Sequence, residues 1–569
     1  MEYKKLAEFY EEVSGTTKRL EKIEILSKFL KNINESEKDI LYLLLGDIYP
    51  EYDERRIGIS NQLAIKAISK STGTEEKQVV IKWKSIGDLG KVAEKLKKQK
   101  RQSTLHSQIL TTEKVLTNLR KLPELVGKGT VSKKLALITE LLTSASPLES
   151  LYLIRTLIGD LRIGVKESTI KGAMVSAFFP EKEKKEVSKK IQDAIDKSND
   201  IALVFEIAKK GKLKNLEKVL LEVGKPIKAM LAQKAKTIAD GFKALGKPCV
   251  IEYKYDGFRL IIHKKDDKII LFTRSLENVT KQFPEVVDYI KKHVKGKSFI
   301  LDSEAVGYDK KTKEYKPFQD ISQRIRRKYD IEKLQNELPI EINVFDIIYY
   351  NGKSLLHESF EKRTALIRKI LRNQKYKIIH AKQIITGSEK KAEKFYKNAL
   401  KDNQEGIMMK NLKATYNPGS RVGHMLKVKP EERDLDLVIV GAEYGTGKRS
   451  GWMSSFILAC KDGKEFLEIG KMGTGIKEKQ EQGTTFEELT KKLTPLIIKE
   501  KGKTVQVKPK IIVSITYQEI QKSPNYNSGF ALRFPRFTAL RPDKPLSEIT
   551  SLEEIKKDFE KQKRNYRFG

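Results

Sequence analysis

Apolar positions in the first two hundred residues recur at helical spacing. Glu37–Ile48 (EKDILYLLLGDI) and Lys133–Leu142 (KKLALITELL) show it most plainly, and prolines fall at apparent boundaries, as in Ser146-Pro147 and Phe179-Pro180. From about residue 217 the pattern shortens. Val250–Tyr253, Leu260–His263, Ile269–Thr273, Phe299–Leu301 and Ile342–Phe345 are apolar or β-branched runs broken by turn residues, which predict strands. Helical stretches at Pro284–Lys292 and Ser359–Ile370 interrupt them. After Pro430 the runs Leu435–Ala442, Ser455–Cys460, Phe466–Lys471 and Lys510–Tyr517 predict a small, mostly β unit with the length of a five-stranded barrel. Ser547–Phe559 returns to helical spacing. Three units follow: an all-α domain over residues 1–216, a mixed α/β (α+β) domain over 217–430, and a β-barrel domain with a C-terminal helix over 431–569.

The length fits this division, because 569 residues exceed what one hydrophobic core serves. A hydrophobic fraction of 39% and dispersed charges describe a folded chain. Lys and Arg number 113 against 76 acidic residues, a formal charge of +37. Such an excess repels itself unless an anion shares it, and nucleic acid is the natural polyanion. The plain alternative is a Lys-rich proteome. Two distant cysteines, Cys249 and Cys460, build neither a disulfide framework nor a zinc ribbon. The six histidines lack paired ligand spacing. With a charged, amphipathic start and no long apolar run, the chain is expected to be cytoplasmic, not secreted and not membrane-bound.

A phosphate-handling enzyme invites a search for the Gly-rich P-loop. Gly445-Thr446-Gly447-Lys448 comes nearest, but Arg449 stands where a hydroxyl should meet magnesium, and a basic turn between strands explains it better. The informative segment is Glu252-Tyr253-Lys254-Tyr255-Asp256-Gly257-Phe258-Arg259, a lysine ending an apolar strand. Alone it would be solvated surface. It is followed, in order, by Phe272–Ser275 (FTRS), Leu301–Glu304 (LDSE), Val344–Asp346 (VFD), Glu405–Lys410 (EGIMMK), Met425–Lys429 (MLKVK) and Ala531–Lys544 (ALRFPRFTALRPDK).

This ordered set resembles the motifs of the nucleotidyltransferase superfamily, and of ATP-dependent DNA ligases of the archaeal and eukaryotic replicative type in particular. Gly159–Val165 (GDLRIGV) in the helical region and Tyr517–Tyr526 (YQEIQKSPNY) near the end extend the likeness over nearly the whole chain. The resemblance implies a helical DNA-binding domain, an adenylation domain and an OB-fold barrel. It implies sealing of nicks in double-stranded DNA, in replication, repair and recombination. Lys254 would take AMP from ATP as a phosphoramidate, pass it to the 5′-phosphate at the nick, and the 3′-hydroxyl would then expel AMP. The residue types suit that chemistry. A neutral amine attacks phosphorus and an ammonium does not, so nearby cations such as Lys410, Lys427 and Lys429, together with Mg²⁺, would favour proton loss and offset charge on the α-phosphate.

By the same resemblance, Glu252 helps recognise adenine and Phe345 stacks on it. Arg259, Arg274 and Arg421 contact ribose or phosphates, as planar bidentate donors can. Lys410, Lys427 and Lys429 complete the nucleotide site, and Glu304 and Glu405 face Mg²⁺, with Mn²⁺ as an alternative. Arg533, Arg536, Asp543 and Lys544 would fold over the nucleotide and orient pyrophosphate. Two positions depart from the pattern: Met425 replaces a tryptophan, and Ser514 stands where relatives often carry glutamate. The partners implied are nicked duplex DNA and, through Arg101–Ile109 (RQSTLHSQI), a sliding clamp; Leu105 and His106 replace that motif's aromatics, and an exposed linker is the rival reading. The chain is expected to be a monomer. Competing functions are an RNA ligase or capping-type guanylyltransferase, and a non-catalytic nucleic-acid-binding protein.

Overall fold

A computed structural model describes residues 1–99, 109–180, 182–326, 329–430, 433–478 and 483–568. Up to Glu217 the described chain is helical, and its apolar faces meet in one core running from Tyr3 to Val219. Pro147–Leu157 shows how the sequence sets an element. Ser146 caps it in a reciprocal capping box with Glu149, and Pro147 occupies the first turn, where its missing N–H costs nothing. The helix expected over Glu37–Ile48 is much shorter, only Ile40–Leu44, and all five of its side chains are buried. Its apolar run reflected burial on every side, and Gly46, with φ +78°, turns the chain immediately after it.

The central region is built on two sheets. The first contains β1 (Leu231–Lys234), β2 (Cys249–Lys254), β9 (Gln383–Thr386), β10 (Gly406–Lys410) and β11 (Arg421–Val428), in the order β1-β11-β10-β2-β9. The second contains β3 (Phe258–Lys265), β4 (Lys268–Thr273), β5 (Ser298–Gly307), β6 (Ile340–Tyr350) and β7 (Lys353–Ser354), in the order β4-β3-β5-β6-β7. A further short strand, β8 (Ile378–His380), runs parallel to β6. The expected strands and both expected helices are present, at Pro284–His293 and Phe360–Ile370. Chain connectivity makes the functional joint: β2 belongs to one sheet and β3 to the other, so the turn Tyr255–Gly257 crosses between them directly after Lys254. Gly257 is needed there because a Cβ would lie 2.2 Å from the Ala305 carbonyl oxygen.

In the C-terminal region β12 (Arg433–Tyr444), β13 (Met453–Asp462), β14 (Glu465–Met472), β17 (Ile512–Tyr517) and β20 (Arg536–Leu540) pair in the order β20-β17-β12-β13-β14. A bridge between Thr474 and Arg536 brings the two ends of this path together around an apolar core, which is the expected five-stranded barrel. Five strands of this region escaped the sequence reading, β20 of the barrel and four more. β15 (Ile497–Lys501) and β16 (Thr504–Val507) add to the edge of β12, and β18 (Glu519–Lys522) pairs with β19 (Phe530–Arg533) as a separate ribbon. The final helix begins at Leu552, five residues after the expected start, and continues to Phe568. Ser551 caps it, accepting from the Glu554 amide at 3.2 Å.

Each region touches the other two. Lys228, just ahead of β1, pairs with Glu51 at 2.5 Å and Glu167 at 2.9 Å on the helical region. The Gly447–Arg449 turn is a connection between β12 and β13, as expected. Beside it Ser450 Oγ donates to the Ile86 carbonyl at 3.3 Å, Lys84 pairs with Glu500 at 3.5 Å, and Lys503 Nζ sits 4.1 Å from the Trp83 ring centroid. The last helix packs on Glu389–Lys401 of the central region.

Candidate active site

Two-residue alternation along a strand places side chains on one face. Glu252 and Lys254 on β2, Met408 and Lys410 on β10, and Met425 and Lys427 on β11 therefore share a face of the first sheet, and Lys429 follows directly after β11. Register aligns them, with Met408 opposite both Glu252 and Lys427. From the second sheet, Arg259 on β3 lies opposite Glu304 on β5. Between these faces is a cavity of about 480 Å³. Lys254, Glu252, Arg259, Arg274, Glu304, Phe345, Glu405, Lys410, Arg421, Lys427 and Arg533 all line it. Lys429 reaches the site through Glu405, with which it forms a close ion pair.

Lys254 Nζ lies 2.7 Å from Glu405 Oε2. The backbone enforces this meeting, because the Glu405 amide donates to the Lys254 carbonyl at 2.9 Å where β10 begins to pair with β2. Burial opposes ionisation of Glu405, but Lys254 and Lys429 outweigh it and hold its carboxyl at about 2. Glu304 goes the other way. Burial pushes it up to about 7, against the pull of Lys254 and Arg259. Lys427 and Lys429 are both lowered, first by burial and then by neighbouring ammonium groups, including that of Lys254. The cation cluster around Lys254 is thus Lys427 and Lys429. Lys410, expected to join it, is engaged elsewhere: its ammonium is buried against Glu252 at 2.6 Å and over the rings of Phe345 at 4.8 Å and Phe360 at 4.5 Å.

Glu252 is almost wholly buried, and its second oxygen, Oε1, has no hydrogen-bond partner. A buried acceptor of this kind requires a donor, and Phe345 lines the same cavity. That is a setting for a planar base with an exocyclic amine. Arg421 is exposed, with Nη1 donating to the Ala232 carbonyl at 2.8 Å, and Arg274 is exposed at the rim. The two carboxyl groups of Glu304 and Glu405, set among buried polar neighbours, suit a hard divalent cation, which commonly takes only one or two protein carboxylates.

Of the last motif, only Arg533 reaches the cavity. It is held by Glu519 at 2.9 Å and stands 3.9 Å from Asp256. Lys544 is tied to Asp436 at 2.6 Å, Asp543 to Arg541 at 2.8 Å, and Arg536 is exposed on β20, so these three do not cover the nucleotide in this arrangement. Sequence reasoning passed over Asp256, whose carboxyl burial raises to about 7 with help from Glu405 and Glu519. It also passed over Asp302, fully buried and paired bidentately with Arg259. Asp302 lay inside a quoted motif, so its position was in view; only its partner was not.

Residues 229–429 match the family described as ATP dependent DNA ligase domain, residues 2–174 match DNA ligase N terminus, and residues 449–544 match ATP dependent DNA ligase C terminal region. The DNA ligase of Nanoarchaeum equitans is 44% identical over 567 residues, covering 99% of both chains. The chain belongs to the ATP-dependent DNA ligase family. Family members from Thermococcus onnurineus, at 39% identity over 99% of both chains, and Methanocaldococcus jannaschii, at 38% over 99% of this chain and 100% of its own, are DNA ligases as well. The solved structure "Pmar-Lig_PreS3" shares the fold, with a TM-score of 0.58 at 18% identity over 94% of this chain and 99% of its own. As a member of this ligase family the chain is an ATP-using enzyme.

Proposed function

We propose that the chain seals nicks in duplex DNA by carrying AMP on Lys254. The single observation behind this reading is the placement of Lys254 Nζ in a nucleotide-sized cavity against Glu405, with Glu304, Lys427 and Lys429 around it. The Lys254 amine attacks the α-phosphorus of ATP, the bond to pyrophosphate breaks, and a phosphoramidate forms. The nitrogen releases its proton to water as the bond forms, because Glu405, held at about 2 by Lys254 and Lys429, is too weak a base to keep it. Phe345 and the orphaned Glu252 oxygen hold the base, Arg259, Arg274 and Arg421 hold ribose and phosphates, and Lys427 and Lys429 offset charge on the α-phosphate. Glu304 and Glu405 would hold Mg²⁺, or Mn²⁺, which when bound supplies further neutralisation of the phosphates. The AMP passes to the 5′-phosphate of a nick, and attack by the 3′-hydroxyl expels it.

In this reading residues 1–216 bind DNA, residues 217–430 adenylylate, and residues 431–569 form the OB-fold. The separate apolar cores, one ending at Val219, others from Leu221 to Val428 and the last from Leu435 onward, support those divisions. We take the protein to act as a monomer inside the cell. No helix among the described residues is long and apolar enough to cross a membrane. A sliding clamp remains a proposed partner, and residues 101–108 of the segment considered for it lie outside the described residues.

Intact mass after incubation with ATP and Mg²⁺ tests the core of this. The chain should gain one adenylyl group, and the Lys254→Ala variant none. Gain from GTP alone would move the reading to a guanylyltransferase, and failure to join a nicked duplex after adenylylation would remove DNA sealing.

A further inference from the structure

Arg259 does not stand by itself. Its guanidinium forms a bidentate pair with Asp302, a carboxylate with no solvent contact, and Nη2 also reaches the Met230 carbonyl at 3.4 Å. Tyr416 closes the arrangement from a third element. It lies in the loop between β10 and β11, it is 2% exposed, and its hydroxyl donates to Asp302 Oδ2 at 2.7 Å. The Tyr416 phenol oxygen in turn accepts from the Met230 amide at 3.1 Å. The Met230 residue is thereby gripped at both ends, its N–H by Tyr416 and its C=O by Arg259. Met230, Leu231 and Ala232 form one wall of the cavity that Arg259 lines.

The loop that presents Tyr416 is itself anchored. Its amide donates to the Leu356 carbonyl at 2.9 Å, and Arg363, buried against Asp346, donates to the Ala414 carbonyl at 3.1 Å. Burial, and then the Asp302 charge, push the Tyr416 phenol well above its ordinary value, so it stays a donor wherever the protein is folded.

A carboxylate offers about four acceptor directions. Arg259 takes two, and without the phenol Asp302 could rotate in its plane and carry the guanidinium with it. We propose that Tyr416 is a positioning residue for nucleotide binding: its phenol, set between Asp302 and the Met230 amide, fixes both Arg259 and the Met230–Ala232 wall. It does not touch the nucleotide. This rests on the assignment of the cavity to ATP, and deepens it by naming a residue outside the motif set.

Tyr416→Phe keeps the ring and removes only the hydroxyl. The concentration of ATP giving half the limiting rate of single-turnover adenylylation should rise about tenfold, as expected when a hydrogen bond to a charged group is lost. The limiting rate should stay within about twofold, and affinity for nicked duplex, which reports the fold, should not change. In an Arg259→Lys background, where the fork that Asp302 orients is gone, most of the Tyr416→Phe effect should disappear, which a merely structural role would not produce. ATP binding to the Lys254→Ala protein gives the same comparison without turnover. An unchanged ATP requirement, a loss confined to the limiting rate, or full multiplication of the two substitutions would overturn the proposal. If the unaltered chain takes no adenylyl group, the assignment of the cavity fails instead, so the two failures are separable.

Discussion

Arg533 of the barrel stands 3.9 Å from Asp256 of the central domain and is held by Glu519 of its own ribbon at 2.9 Å. The barrel therefore lends one cation to a cavity otherwise built by the central sheets. Asp256 follows Lys254 by two residues, and its carboxyl feels the charges of Glu405, Glu519, Arg533 and Lys254 together.

If that cation serves the attack on ATP, Arg533→Ala should slow adenylylation of Lys254 by about 10²-fold, the usual cost of removing one preorganised donor. Sealing of a nick whose 5′-phosphate already carries AMP should be much less affected, since no pyrophosphate leaves in that step. Single-turnover rates for the two substrates decide it. Equal losses in both would mean that Arg533 acts through the fold.

Glu304 yields a prediction with two signs. Its folded carboxyl sits at about 7, above an ordinary glutamate, so the fold favours the protonated form. The stabilisation this gives is complete below about 4.5 and is lost as pH rises through 7. In metal-free protein at pH 8, Glu304→Gln should therefore be the more stable chain by about 1–2 kcal/mol, reduced from the full shift because the residue keeps some water contact. The advantage should vanish near pH 4.5. Adenylylation should fall on the acid side of 7 in the parent and be severely impaired in the variant. Thermal denaturation across pH, without divalent cation, checks the stability half; a variant no more stable at pH 8 contradicts it.

The Glu252–Lys410 pair is buried on both sides. Glu252→Ala leaves an ammonium with no counter-charge, and breaking such a pair typically costs 3–5 kcal/mol, so about 3 kcal/mol should be lost from the central domain's unfolding transition. Replacing both residues, as in Glu252→Gln with Lys410→Met, should recover much of it while still weakening ATP binding. Denaturant titration of the three proteins provides the comparison, and a double variant as unstable as the single one would show that packing, not charge, was lost.

A formal charge of +37 implies binding that depends steeply on salt. Between 50 and 200 mM salt the affinity for nicked duplex should fall by about 10³-fold or more, with little dependence on base sequence. Adenylylation without DNA should barely respond over the same range. Fluorescence anisotropy with labelled duplexes measures the first, and a flat salt response would separate the charge from DNA binding.

Much of the site was legible because it obeys strand alternation. Glu252 with Lys254 on β2, and Met425 with Lys427 on β11, are spaced by two, and that spacing alone puts each pair on one face. What the sequence hid were contacts between distant elements. Tyr416 carries no charge and sits in a loop with no signature, so nothing marked it as the neighbour of Asp302, more than a hundred residues earlier. β1 is four residues long, with a register shift in the middle of its pairing to β11, and β8 has three residues; neither gives a periodicity to read. β15 (IIKEK) carries charge because it lies at the sheet's margin, where solvent replaces an apolar face, and β16 (TVQV) is only four residues long. The short helix Ile40–Leu44 is the reverse case, a run so apolar that it suggested more helix than the turn at Gly46 allows.

The contacts of Ile86, Lys84 and Trp83 with Ser450, Glu500 and Lys503 have a topological consequence. With the helical domain joined to the barrel, and each joined to the centre, the three regions close a circuit of contacts. If duplex DNA passes inside that circuit, a break within a long or circular duplex offers no free end to thread, and the contacts between helical domain and barrel would part and re-form on each visit. The hydroxyl bond, the long ion pair and the cation over a ring are partly exposed polar contacts, each worth little in water.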